Sequence, residues 1–123
     1  LVMILPSTPQ TAGALSAERL ALLPRRAVVV NVGRGATVDQ AALEAALRSG
    51  AISAAGLDVT DPEPLPADST LWDAPNLLLT PHAAGGRVVG AVERIIANAA
   101  AVDATPPGEP ITGLEAQIPR PSR

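Results

Sequence analysis

The chain has no cysteine, no lysine, no phenylalanine and no tyrosine; Trp72 is its one Phe/Trp/Tyr-type residue and His82 its one histidine. Without cysteine there is no disulfide framework and no thiolate metal site. A net charge of −3 leaves no basic footprint for nucleic acid. No apolar run approaches the roughly 20 residues that a bilayer-spanning helix needs, so no membrane contact is expected. No secretory signal pattern is visible, and a cytoplasmic setting is expected. Glycine-rich phosphate turns are also lacking: Gly33-Arg34-Gly35 has no third glycine at the Gly-x-Gly-x-x-Gly spacing. Asp58, Asp61 and Glu63 share one stretch, but its two prolines and the absence of a second histidine make a metal cage unexpected. So few aromatic rings are unusual for a complete domain. The chain also opens inside an apolar run, Leu1-Val2-Met3-Ile4-Leu5, with no turn before it. Both features are expected of a piece whose upstream part lies elsewhere.

What is present reads as alternating strands and helices. Leu1 to Leu5 is a short continuous apolar run that suits a buried parallel strand, ended by Pro6 and Pro9. Ser16 is a suitable N-cap for a helix through Leu23, and Pro24 opposes its continuation. Ala27 to Val32 is β-branched and predicts a strand. Asp39 caps a helix over Gln40 to Ser49 whose apolar face is Ala42, Leu43, Ala46 and Leu47, and Gly50 supplies a left-handed stop. Ile52 to Val59 predicts a third strand, with Gly56 allowing close backbone approach. A proline-punctuated loop, Thr60 to Ser69, precedes one helical turn at Leu71 to Asp73 and a fourth strand at Leu77 to Thr80. Gly86 to Val102 predicts a helix with Val88, Val92, Ile95, Ile96 and Ala99 at helical spacing. Five prolines after Asp103 and no periodic face predict a mobile tail over residues 103–123, leaving 1–102 as the folded unit. This alternation implies an α/β fold with a parallel sheet and flanking helices.

Three phrases carry candidate chemistry, and each falls at the end of an apolar run, where open α/β sheets bind ligands. In Asn31-Val32-Gly33-Arg34-Gly35, Arg34 offers a planar fork that can hold a carboxylate in two hydrogen bonds. Read alone it would be a solvated loop arginine. In Thr80-Pro81-His82-Ala83-Ala84-Gly85, His82 offers an imidazole, which gives and takes protons near neutral pH. Read alone it would be a strand-end residue bonded to backbone. In Gly56-Leu57-Asp58-Val59-Thr60-Asp61-Pro62-Glu63-Pro64, two prolines stiffen the loop around Glu63. A carboxylate beside an imidazole favours the charged ring and fixes its orientation. These are parts that reduction of a 2-keto acid needs.

At these residues the chain resembles the D-isomer-specific 2-hydroxyacid dehydrogenases, in the C-terminal part of their NAD-binding domain. The resemblance runs from about Leu5 to Gly85 and includes Leu5-Pro6-Ser7-Thr8-Pro9-Gln10-Thr11 and Val38-Asp39-Gln40-Ala41-Ala42-Leu43. It implies a partial Rossmann-like sheet, the second half of a dinucleotide-binding domain. It implies Arg34, Glu63 and His82 as catalytic residues, and NAD or NADP as cofactor. It places Leu5, Pro6, Thr11, Val32, Gly33, Arg34, Asp58, His82 and Gly85 along that cofactor, with Asp58 near the nicotinamide. The implied partner is a small 2-hydroxy or 2-keto acid, and a full-length parent would be a homodimer. Asn31 is expected to organise its loop rather than to react. The match departs after Gly85, where Gly86-Arg87 passes quickly into Val88-Val89.

Two function classes stand at this point. The first is an oxidoreductase acting on CH–OH groups. The second is a truncated, catalytically inactive dinucleotide-binding remnant or interaction module, since neither the phosphate turn nor a substrate domain is encoded here. The coding sequence upstream of Leu1 discriminates: a Gly-x-Gly-x-x-Gly strand-turn-helix in frame would mark a piece of an enzyme.

Overall fold

A computed structural model describes residues 1–85 and 91–106. Four strands run in one parallel sheet in the order β1-β2-β3-β4: Val2–Met3, Val28–Asn31, Ala54–Leu57 and Leu77–Leu79. Sequential order with every neighbour parallel requires a crossover between each pair. Helix α1 (Ala17–Ala21) provides the first and α2 (Gln40–Arg48) the second, while a 3-10 turn at Thr70–Asp73 is all the regular structure in the third. Helix α3 (Ala91–Ala104) follows.

The core forms because the two periodicities meet on one face of the sheet. Val29, Ala55, Leu57, Leu77 and Leu79 supply the strand side, and Leu20, Leu43 and Leu47 the helix side; all are buried. Ala42 and Ala46 complete the predicted face of α2. The opposite sheet face is barer: Val28 is exposed, and Val30 and Gly56 are half-buried.

Several expectations need correction. The first strand is two residues long, not five, because Ile4 and Leu5 run on past the last rung with β2 and lie exposed. The third strand is the central four residues of the expected eight. Ser16 stands at the N-cap of α1, but its hydroxyl bonds Glu18 Oε2 at 2.6 Å instead of a backbone N–H. Gly56 does not serve close approach: a Cβ built there meets nothing within 4 Å. The tight glycines are Gly33, whose Cβ would lie 2.7 Å from the Leu5 carbonyl oxygen, and Gly35, whose Cβ would lie 2.1 Å from the Thr60 carbonyl. Asp39 does cap α2, accepting from Ala42 N at 2.9 Å, and Gly50 takes φ +67°. Helix α3 runs two residues past Val102, and its Ile95 and Ile96 are exposed rather than packed. The expected start of that helix at Gly86, and most of the expected tail, lie outside the described residues.

Candidate active site

Because the strands are parallel, the segments that leave β2, β3 and β4 emerge on one edge of the sheet. Those segments carry Arg34, Glu63 and His82. Leu5 and Pro6 leave β1 on the same edge, and both are exposed.

Glu63 and His82 touch. Imidazole Nδ1 lies 2.7 Å from Glu63 Oε1, with the side chains 44% and 39% exposed, so the pair faces solvent and is reachable. A carboxylate only accepts, so Nδ1 carries the hydrogen and donates it, and Nε2 is the ring nitrogen left for a ligand. A cleft of about 520 Å³ opens beside the pair, walled by Leu65, Trp72 and Leu79. Trp72 Nε1 donates to the Pro66 carbonyl at 2.7 Å, which ties down the far end of the Glu63 loop.

His82 sits at φ +52°, a left-handed conformation that a non-glycine residue adopts only when its surroundings enforce it. Asp58 enforces it. Its carboxylate accepts from Thr80 Oγ1, from Ala83 N–H at 2.9 Å and from Ala84 N–H at 2.9 Å. Its own carbonyl accepts from His82 N–H at 2.8 Å. Burial alone would raise the Asp58 pKa. The hydrogen bonds from Thr80, Ala84 and Ala83, and then the His82 charge, outweigh burial and hold the carboxyl below its ordinary value. These bonds employ Asp58 inside the protein, as a clamp on the His82 turn.

Arg34 is held differently. Asn31 Nδ2 donates to the Arg34 carbonyl at 2.9 Å, Thr37 Oγ1 donates to it at 2.7 Å, and Asn31 Oδ1 accepts from Gly33 N–H at 3.0 Å. Asn31 is fully buried and organises the loop. The exposed guanidinium folds back, Nη1 donating to the Gly33 carbonyl at 2.7 Å. Arg34 thus shares the sheet edge with Glu63 and His82 without bonding to either.

Of the remaining residues expected along a cofactor, Val32 is half-buried and Gly85 exposed, with open space around its α-carbon. Gly33 is buried against the Leu5 backbone. The Thr11 hydroxyl donates to the Pro6 carbonyl at 2.6 Å and so shapes the loop after β1. The rim offers exposed apolar surface at Leu5 and Pro6 on the edge that bears an imidazole, which fits the nicotinamide end of a dinucleotide. On this edge the N-terminus of α2 is already capped by Asp39 and so is not open to a diphosphate. Among the described residues no group of three His, Asp or Glu side chains could hold a metal ion. No helix among them is long and apolar enough to cross a membrane.

The family profile described as D-isomer specific 2-hydroxyacid dehydrogenase, NAD binding domain, matches residues 1–84. The chain belongs to that family. Glyoxylate/hydroxypyruvate reductase A of Salmonella newport (strain SL254) is 42% identical over 113 residues, covering 92% of this chain and 36% of the relative. A D-isomer specific 2-hydroxyacid dehydrogenase from Xanthobacter autotrophicus Py2, solved in complex with NADPH and MES, superposes with a TM-score of 0.65 at 46% identity. That match covers 97% of this chain and 47% of the solved one. An NADPH-dependent glyoxylate/hydroxypyruvate reductase from Sinorhizobium meliloti superposes with a TM-score of 0.66 at 41% identity, over 74% of this chain and 48% of that one. The chain therefore spans about a third of the length of the curated relatives it matches.

Sequence reasoning missed three residues that build the site. Thr80 and Gly35 carry no signal beyond their place in quoted phrases. Gln40 lies in Val38-Asp39-Gln40, where it was expected only to open α2.

Proposed function

We propose that these residues form the proton-transfer side of an NAD- or NADP-dependent reductase that interconverts a small 2-keto acid and its D-2-hydroxy acid. The observation that carries the reading is the 2.7 Å contact between His82 Nδ1 and Glu63 Oε1, on the sheet edge that also bears Arg34. Glu63 fixes the ring so that Nε2 can give a proton to the carbonyl oxygen during reduction and take it back during oxidation. Arg34 swings from the Gly33 carbonyl to grip the substrate carboxylate as a fork. Leu5, Pro6, Val32 and Gly85 form the rim against which a nicotinamide would lie. When bound there, that ring would supply or accept the hydride at the substrate carbon. Asp58 acts one step back, by holding the turn that aims His82.

The substrate class follows the relatives, whose names point to glyoxylate and hydroxypyruvate. A homodimeric, cytoplasmic parent is part of the same reading and rests on the family resemblance. A second reading, an inactive dinucleotide-binding remnant, draws support from the missing phosphate turn and the capped N-terminus of α2. The test is a polypeptide that joins these residues to an upstream Gly-x-Gly-x-x-Gly half and a substrate domain. His82→Ala there should lower turnover of glyoxylate at least 100-fold, the usual worth of a general acid, with NADPH or NADH affinity nearly unchanged. Near-normal turnover in that variant at neutral pH removes His82 from the chemistry, and no turnover in the unsubstituted joined polypeptide leaves the remnant reading.

A further inference from the structure

We infer that Gln40 is a positioning residue, which fixes the Glu63 loop relative to the Arg34 loop by clamping the backbone of Asp61. This rests on the reading above in one respect, that Glu63 aims His82. The Gln40 carboxamide uses both its ends on one residue: Nε2 donates to the Asp61 carbonyl at 2.5 Å, and Oε1 accepts from Asp61 N–H at 3.1 Å. Asp61 lies two residues before Glu63. Paired bonds to the N–H and C=O of one residue restrain rotation as well as distance, in the way a neighbouring strand would.

A second contact locks the same junction. Gly35 lies so close to Thr60 and Asp61 that a Cβ would sit 2.1 Å from the Thr60 carbonyl carbon and 2.6 Å from Asp61 N. Gly35 and Gln40 belong to one stiff piece. A 3-10 turn spans Gly35–Thr37, Val38 N–H donates to the Gly35 carbonyl, and Asp39 N–H donates to the Leu15 carbonyl. Arg34 opens that piece. The residue that would grip a carboxylate and the residue that aims the imidazole are therefore held in one frame, with Gln40 as the link that can be cut.

Gln40 Nε2 and Oε1 bond at a solvent-facing surface, where protein hydrogen bonds exchange with water and add little net stability. The clamp should show itself in geometry more than in folding. Because His82 is the one histidine of the chain, its ring nitrogens can be read without ambiguity by 15N NMR. The full chain is compared with Gln40→Met, which keeps length and loses both bonds, and with Gln40→Glu, which keeps the acceptor and loses the donor. At alkaline pH the unsubstituted chain should show the Nδ1–H tautomer. Gln40→Met should shift the population until Nε2–H, the form preferred by an unconstrained histidine side chain, is the major one, and Gln40→Glu should fall between. The thermal midpoint should move by only a few degrees. An unchanged tautomer ratio in Gln40→Met overturns the proposal, whatever happens to the midpoint. If Gln40→Met does not fold, an unchanged ratio in Gln40→Glu overturns it. No substrate or cofactor enters the measurement. A tautomer shift in this chain, with no turnover in the polypeptide that joins it to an upstream Gly-x-Gly-x-x-Gly half and a substrate domain, keeps the clamp and sinks the reductase reading; turnover there with an unchanged tautomer ratio here does the opposite.

Discussion

His82 and Asp58 show how a residue's neighbours decide its use. A histidine at φ +52° is held against its own preference, and the Asp58 carboxylate, with three hydrogen bonds accepted, is the group that holds it. Asp58→Asn keeps the shape but turns an amide donor toward groups that themselves donate. We expect a loss of about 2 kcal/mol at neutral pH, the scale of hydrogen bonds to a charged group. The pH dependence follows from the lowered pKa. A carboxyl depressed in the folded state contributes stability that is complete above its unfolded value, about 3.9, and is lost as pH falls through the folded value. Urea unfolding should therefore show a gap between the unsubstituted chain and Asp58→Asn that is steady from pH 7 to about pH 5 and narrows below about pH 4. A gap that widens in acid would contradict the clamp. None of this was legible in the sequence, because the carboxylate's partners lie 22 to 26 residues away in the turn that follows the next strand. The Glu63–His82 contact was expected from the family resemblance, since Glu63 read alone in its proline-rich loop is a surface acid.

Among the elements, α2 and the strands around it were readable because their signals are local. Asp39 at the cap, Leu43 and Leu47 one turn apart, and Gly50 at the stop each act through neighbours in the chain. The roles of the glycines were not readable, because close approach depends on which loops the topology brings together. Gly56 in β3 faces open space, whereas Gly35 after β2 is pressed against the Thr60 backbone. These two give opposite expectations for the same change. Gly35→Ala must push apart backbone that cannot yield cheaply and should lose about 2–3 kcal/mol. Gly56→Ala adds a methyl group without a clash and removes chain entropy from the unfolded state, so it should be neutral or gain up to about 1 kcal/mol. Chemical denaturation of the two variants checks both. Equal destabilisation would show that Gly35 is not the contact that joins the two loops.

Across the whole molecule, apolar surface is covered on one side of the sheet and left open elsewhere. Leu1, Val2, Ile4 and Leu5 are exposed along β1, whose outer edge has no partner strand among the described residues. Val28 is exposed on the bare sheet face, and Ile95 and Ile96 on α3. A flat apolar edge with unpaired N–H and C=O groups is a template for another chain, and apolar patches of this kind favour association. The ligand side is equally one-sided. The edge presents an imidazole, a carboxylate and an arginine, while the N-terminus of α2 is capped by Asp39 and so is not open to a diphosphate. Reaction between two bound molecules also needs both held in contact with water excluded, and the Glu63–His82 pair is more than a third exposed. The 123-residue chain expressed by itself should therefore self-associate, bind NADH or NADPH weakly, and reduce no 2-keto acid. Sedimentation at several concentrations, with dinucleotide titration and a panel of keto acids, measures all three. Joining the chain to an upstream nucleotide-binding half should remove the association that runs through the open β1 edge and strengthen dinucleotide binding. A monodisperse monomer that turned over any keto acid would mean that these residues hold a complete site, and that the open edge plays no part in it.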